Sequence, residues 1–491
     1  MGVQRLRGLS VEENVMPYID PNDYYSLADD SLMLQAAVDA AVISGQSVRV
    51  PRHNKRTGKS EWVIQRAITL HSGSTVILDS CRLRLADGVF DSMFKNDFAR
   101  MPEAGLISNR QYDIRIFGQG SAILDGGTHN GLTERNDRDS DNPEFDHCAL
   151  ENTLIHFHNA ERIVIENLRI ENPRYWGMTF HYCAYGRISN IQFMSSGACP
   201  NADGIDLRIG CRDFIIENIS GYTQDDSVAL TCLDDDVAQV QGMDSDIHGI
   251  IIRNVSTCTR CANIRLLNHY GHKLYNVVIQ NVQASVEKDP ASPELSDYPL
   301  RLPDAPKLAP AVEPVYWSTF DNRARRAHVC VKIGENGYFA QSGNGARLGD
   351  TFNIRVQNIQ TDAQIGISLA RTLCDSSFEG LQLFGKSAIG VYFGQGEFDN
   401  LRFSDISFAR NARYREEDLK PRKGSYGYDA PATVVFEGGN VKNTSFTGIS
   451  THPCGGDAFA GYGDVELSVQ QVRLTHSDAK LVSGDGIQVN R

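Results

Sequence analysis

The chain has 491 residues, 41% of them hydrophobic and 22% charged, with a mean hydropathy of -0.32. Such a length can bury a large core and could be divided into more than one domain. The formal net charge of -13 argues against nucleic acid or an anionic membrane surface as partner, and no window approaches the roughly 20 apolar residues that span a bilayer.

The opening residues, MGVQRLRGLSVEENVMPYID, lack the apolar stretch of a secretory signal. This predicts a cytoplasmic protein, or a secreted one whose signal is no longer present. Eleven cysteines, scattered and odd in number, read as reduced thiols rather than a disulfide framework. Cys258-Thr259-Arg260-Cys261 is a CxxC without a second pair nearby, so no zinc site is expected there.

In chain order, Asp30 to Ala41 (DSLMLQAAVDAA) has the pattern of an amphipathic helix, suited to capping the open end of a repeat structure. Ile114 to Gly120 and Ala122 to Gly126 read as strands of an early coil, and residues 128–147 as a polar loop. From Ile165 onward an internal repeat takes over. Its first form is a short strand closed by Asn and an aliphatic residue, as in Ile165-Glu166-Asn167-Leu168, Ile188-Ser189-Asn190-Ile191 and Ile216-Glu217-Asn218-Ile219. It returns at Asn254, Asn281 and Asn358. Asn167 and Asn190 are 23 residues apart, and Asn190 and Asn218 are 28 apart, which suits one coil of a β-solenoid each. The Asn residues are expected to bond their neighbours in stacked turns, where Asn tolerates unusual backbone angles. This explains the sequons at Asn218 and Asn254 better than glycosylation does.

A second strand follows each Asn turn: Gly177-Met178-Thr179-Phe180, Gly204-Ile205-Asp206-Leu207, Ser227-Val228-Ala229-Leu230 and Asn263-Ile264-Arg265-Leu266, then copies at Gly366 and Gly390. Period-2 alternation sends every second side chain inward. Thr179, Asp206, Ala229, Arg265, Ser368 and Tyr392 should therefore form one external column. A Pro-rich stretch, residues 285–345, breaks the repeat as a long insertion beside the groove. The fold expected is all-β: one right-handed parallel β-helix over residues 1–491, with an N-terminal capping helix and loop insertions.

The position immediately before each second strand holds Trp176, Asp203, Asp226, Ala262, Ile365 and Ile389. Two successive coils thus place an aspartate at one spot, and Asp225 sits beside the second. Any single Asp in a solenoid turn is more often structural than catalytic. Three carboxylates at one level repel each other, so one should hold its proton near neutral pH while another stays ionised. That division is what glycoside hydrolysis needs. Asp234, Asp235 and Asp236 read instead as a solvated turn. Trp176, with Tyr175 and His181 flanking the same strand, is either a sugar platform or ordinary packing.

These residues resemble glycoside hydrolase family 28, the polygalacturonase-like β-helices. Asn201-Ala202-Asp203, followed by Gly204-Ile205-Asp206, is similar to the family's Asn-Thr-Asp motif, and Asp225-Asp226 to its Asp-Asp motif. The resemblance is good over roughly residues 110–285. It implies an inverting hydrolase of a pectin-like or related saccharide, with Asp225 as general acid and Asp203 and Asp226 activating the water. Arg265, Asp206, Arg208, Trp176 and His181 are the expected substrate contacts. No metal and no cofactor is implied, and the oligomeric state is open.

Two departures stand out. Cys261-Ala262-Asn263 occupies the place of the family's Gly-His-Gly, without a histidine. The family's Arg-Ile-Lys, which holds the substrate carboxylate, has only Arg265-Leu266-Leu267 or Ser368-Leu369-Ala370 to match it. The lysine is expected to be absent, which opens the cleavage site to a different or neutral sugar.

Two other readings stay open. Asp203, Asp206, Asp225 and Asp226 could cage a Ca²⁺ ion in a lyase or epimerase, with Arg208 or Arg265 as base. A non-catalytic glycan-binding or structural β-helix, such as a trimeric fibre, fits the missing histidine. The insertion carries Arg323, Arg325, Arg326 and His328 beside Tyr316-Trp317. It is either a solvated flank or a wall closing one end of the groove and favouring chain ends.

Overall fold

The computed structural model describes residues 18–128, 152–195, 201–234, 237–259, 261–269, 271–284, 329–334, 345–413 and 431–490. These build a right-handed parallel β-helix in which each strand pairs in parallel with its counterparts one coil before and after. Right-handed coiling is the expected hand for parallel crossover connections. No described helix is long and apolar enough to cross a membrane.

The cap forms as read, with a longer end. The helix runs Asp30–Ser44, and Asp29 opens it by accepting the Leu32 N–H at 2.9 Å. Gly45 closes it in the left-handed conformation, φ 68°, where a side chain would be strained. Met33, Leu34, Ala37, Val38 and Ala41 seal the first coils by joining the solenoid's main apolar core, which continues as far as Val469.

Two sets of side chains alternate along the ladder that carries the aspartates, and the set expected to be external is buried as well. Phe157, Phe180, Leu207, Leu230, Leu266, Ile333, Leu369 and Phe393 are successive inward partners, all buried in one core. Each such side chain contributes about 1.5–3 kcal/mol on burial. The interleaved outward column is His156, Thr179, Asp206, Ala229, Arg265, Lys332, Ser368 and Tyr392.

Lys332 comes from the strand Val329–Ile333, which lies inside the stretch read as an unbroken insertion. Val-Cys-Val-Lys-Ile has no Asn turn or glycine just before it to announce it. Register alone identifies it as a coil of the ladder, paired to Ala262–Asn268 on one side and Ile365–Leu369 on the other. Residues 285–328, with Tyr316, Trp317, the three arginines and His328, lie outside the described residues, as do 129–151.

The asparagine turns behave as the repeat predicts. Asn167, Asn190, Asn218, Asn254, Asn281 and Asn358 all have φ between 56° and 64°. Each later side chain donates to the carboxamide oxygen of the one before at 2.9–3.0 Å. The ladder satisfies polar groups at a corner where no backbone pairing is available. It also fixes the height of each coil.

Candidate active site

Asp203 and Asp226 precede the strands Ile205–Arg208 and Val228–Cys232, which are partners in register. Three features lock their levels together. The Gly204 N–H donates to the Asp226 carbonyl at 2.9 Å, and the Asp225 N–H to the Ala202 carbonyl at 3.3 Å. Gly204 has no Cβ, and a Cβ there would lie 2.3 Å from the Ser227 carbonyl oxygen. The close approach of the two carboxylate-bearing turns therefore requires glycine at this position.

The Asp225-Asp226 turn is held from both neighbouring coils. The hydroxyls of Thr223 and Thr259 both donate to the Asp225 carbonyl. Asp225 Oδ1 accepts the Asp226 N–H at 3.0 Å, and Asp226 Oδ1 accepts the Ala262 N–H at 3.0 Å. Arg265 reaches back so that its Nη1 lies 3.6 Å from Asp226 Oδ2, with both side chains nearly buried.

Burial and like charge set the protonation. Burial holds the Asp203 carboxyl well above the usual carboxylate range, reinforced by the charges of Asp206, Asp225 and Asp226, while Arg265 opposes the shift. The Asp225 carboxyl is pushed up to about 7 by burial and then by Asp226. The Cys261 thiol and Arg265 pull it the other way. Burial, with the two carboxylates behind it, pushes the Cys261 thiol well up, so it stays protonated and able to donate to Asp225. Asp225 is thus a carboxyl that keeps a proton close to neutrality, and the neighbouring Asp226 accepts an N–H and faces a guanidinium. A carboxyl so raised can serve as a general acid.

The structure brings Asp203, Asp225, Asp226 and Arg265 together, with Asp206 next to Ala229 in the outward column. Arg208 lies on Trp176, its guanidinium carbon 4.6 Å from the ring centroid, and Tyr175 stacks on the same indole at 4.5 Å. The indole is therefore already engaged with protein groups. His181 is fully buried, its Nδ1 3.2 Å from His156 Nε2 in a cluster that includes His158. Burial lowers His156 well below its ordinary value and His158 to about 3. His156 belongs to the column itself, so His181 is packed against protein side chains on that face of the sheet.

Two residues were missed. Lys332 is the register partner of Arg265 on the next coil, so the lysine expected to be absent has a counterpart in the column. Cys261 read only as half of a CxxC. Its counterpart on the previous coil is Asp225, and aligning the position before Asp226 and Ala262 would have exposed that juxtaposition. Cys258, the other half, is buried, and every cysteine among the described residues is a free thiol.

Asp225, Asp226 and Cys261 could also converge on a metal ion, their ligand atoms lying within 4.8 Å of one another. A set of two hard oxygens and one thiol does not match the all-oxygen shell that Ca²⁺ takes, and Asp203 and Asp206 are not among these three.

Residues 102–286 match the family model described as "Glycosyl hydrolases family 28". No curated protein matches the chain. Among solved structures, it is similar to the polygalacturonase from Erwinia carotovora ssp. carotovora at 12% identity, covering 99% of both chains with a TM-score of 0.44. The Yersinia enterocolitica family 28 exopolygalacturonase is 12% identical over 96% of this chain and 79% of its own, TM-score 0.40. The Streptococcus pneumoniae surface protein and adhesin PfbA is 10% identical over 95% of this chain and 99% of its own, TM-score 0.45.

Proposed function

We propose that the protein is a glycoside hydrolase that cleaves by inversion, on an oligosaccharide or polysaccharide carrying uronate residues. The observation that carries this reading is the placement of Asp225 and Asp226 side by side on one turn, bonded by backbone to the Asp203 turn of the coil before. One carboxyl is raised to about 7, and the other accepts an N–H and faces Arg265.

Asp225 protonates the glycosidic oxygen as the bond to the leaving sugar breaks. Asp226, with Asp203 across the coil boundary, takes a proton from the water that attacks the opposite face of the ring. Arg265 and Lys332, adjacent in the outward column, supply two cations for a substrate carboxylate. They favour an acidic sugar over the neutral one that the sequence had opened as a possibility. Arg binds a carboxylate through its planar fork and Lys as a point charge.

The test is reducing-end release from a panel of pectic and neutral oligosaccharides by the wild type and Asp225→Asn. Cleavage of uronate-containing members, lost by about 10²–10⁴ in kcat in the variant, is the expected result. Near-normal turnover by Asp225→Asn would sink the assignment. An unsaturated uronate product would transfer the site to a lyase.

A further inference from the structure

A second constellation of ligating side chains lies away from the carboxylates, where the two strands that carry the site run out. Beyond Val228–Cys232 the chain reaches Asp234, and beyond Ala262–Asn268 it reaches His269 and His272. His272 Nε2 lies 2.7 Å from Asp234 Oδ1, and His269 Nδ1 lies 3.1 Å from Asp234 Oδ2. One ligand atom from each residue falls within 4.8 Å of the other two. Both imidazoles are mostly buried, 15% and 18% exposed, while the aspartate side chain is 68% exposed.

The histidines are held from behind. The His269 N–H donates to the Cys232 carbonyl at 3.1 Å, and the His272 N–H to the His269 carbonyl at 3.3 Å, closing a turn. The Asn268 carboxamide donates to the His272 carbonyl and to the Asp350 carbonyl, both at 3.0 Å. His269 also bridges to Gly345 in antiparallel fashion. Two rigid imidazoles thus aim different ring nitrogens at one point, and a mobile carboxylate completes the set from the neighbouring coil.

We propose that Asp234, His269 and His272 bind one divalent transition-metal ion of the imidazole-preferring kind, zinc in particular. Two nitrogens and one carboxylate oxygen are a borderline-soft donor set that suits Zn²⁺ far better than Ca²⁺ or Mg²⁺. Zn–N bonds of about 2.0–2.1 Å require the three donors to be close neighbours, as they are. The exposed carboxylate can turn to admit the ion, and the solvent side leaves a fourth position for water. The ion would tie the loop after the Asp226 strand to the turn after the Arg265 strand. Its role is therefore to hold the two coils of the site in register, with no part in bond cleavage.

The experiment is calorimetric titration of the chelator-treated full chain with Zn²⁺ alone, together with its thermal midpoint with and without the ion. One equivalent binding to the wild type and raising the midpoint, lost in His269→Ala/His272→Ala and weakened in Asp234→Asn, is the expected result. Cys261→Ser should retain the equivalent. The proposal is overturned if the wild type takes up no Zn²⁺, or if the double-histidine variant keeps the equivalent. It is overturned too if Cys261→Ser loses it, which would put the ion on Asp225 and Asp226 instead. The exposed Asp234→Asn change and circular dichroism of each variant separate lost binding from lost folding.

Discussion

Lys332 stands beside Arg265 as its register partner on the next coil, and Arg265 in turn faces Asp226 at 3.6 Å. In the proposed mechanism these three residues are the base and the two cations that grip the substrate carboxylate. A hydrogen bond to a charged group contributes about 1.5–3 kcal/mol. Lys332→Met is therefore expected to raise KM for uronate oligosaccharides by roughly 10-fold to 100-fold and to leave kcat nearly intact. Steady-state kinetics on carboxyl-reduced substrate provides the control, since the lysine should make no difference there. An equal loss on both substrates would remove Lys332 from carboxylate recognition.

The proton on Asp225 sets the alkaline limit of activity. With its carboxyl raised to about 7, kcat should fall above that pH, tenfold per pH unit once the acid is ionised. A kcat–pH profile with no descending limb between pH 6 and pH 8 would contradict Asp225 as the acid.

The same shift has a cost in stability, with a defined sign. Below about 3.8, the ordinary value for this group, Asp225 is protonated folded or unfolded and favours neither state. Between there and about 7 only the folded chain keeps the proton, so stability drains away as pH rises, by up to about 1.4 kcal/mol per pH unit. Above about 7 the loss is complete. Asp225→Asn should thus be more stable than wild type at pH 8, with a smaller advantage at pH 5, as measured by urea unfolding. A variant less stable at pH 8 would show that the carboxylate is structural.

Gly204 makes a different point about the site. Its missing Cβ admits the Ser227 carbonyl, and its N–H pins the Asp226 backbone. Gly204→Ala should force the two coils apart, costing on the order of 1–3 kcal/mol through overpacking. Activity should fall far more than the loss of folded protein explains. Full activity in a folded Gly204→Ala protein would show that coil spacing does not tune the carboxylates.

Much of this was legible in the sequence, and for identifiable reasons. The Asn turns were readable because one residue type does two jobs there: it takes φ near 57° and donates to the Asn of the coil before. The alternation Gly-Ile-Asp-Leu announced which side chains face out, and the copies before Asp203 and Asp226 announced the carboxylates. Lys332 escaped because its strand is a plain apolar run, Val329-Cys330-Val331, after a stretch without repeat signals. His181 was misjudged because strand alternation gives the side of the sheet but not what lies over it. In the structure that side is filled by His156 and His158. The Asp234, His269 and His272 cluster could not be read from spacing, since 35 residues separate Asp234 from His269 and only the coil stacking brings them together.

The most direct test follows the anomeric configuration of the first product by NMR during early turnover of a defined oligosaccharide. Attack by water held between Asp203 and Asp226, opposite the proton donor Asp225, must give the inverted anomer first, with the other appearing only by slow mutarotation. Initial formation of the retained anomer would contradict the mechanism, because it would require one of these carboxylates to attack the sugar itself.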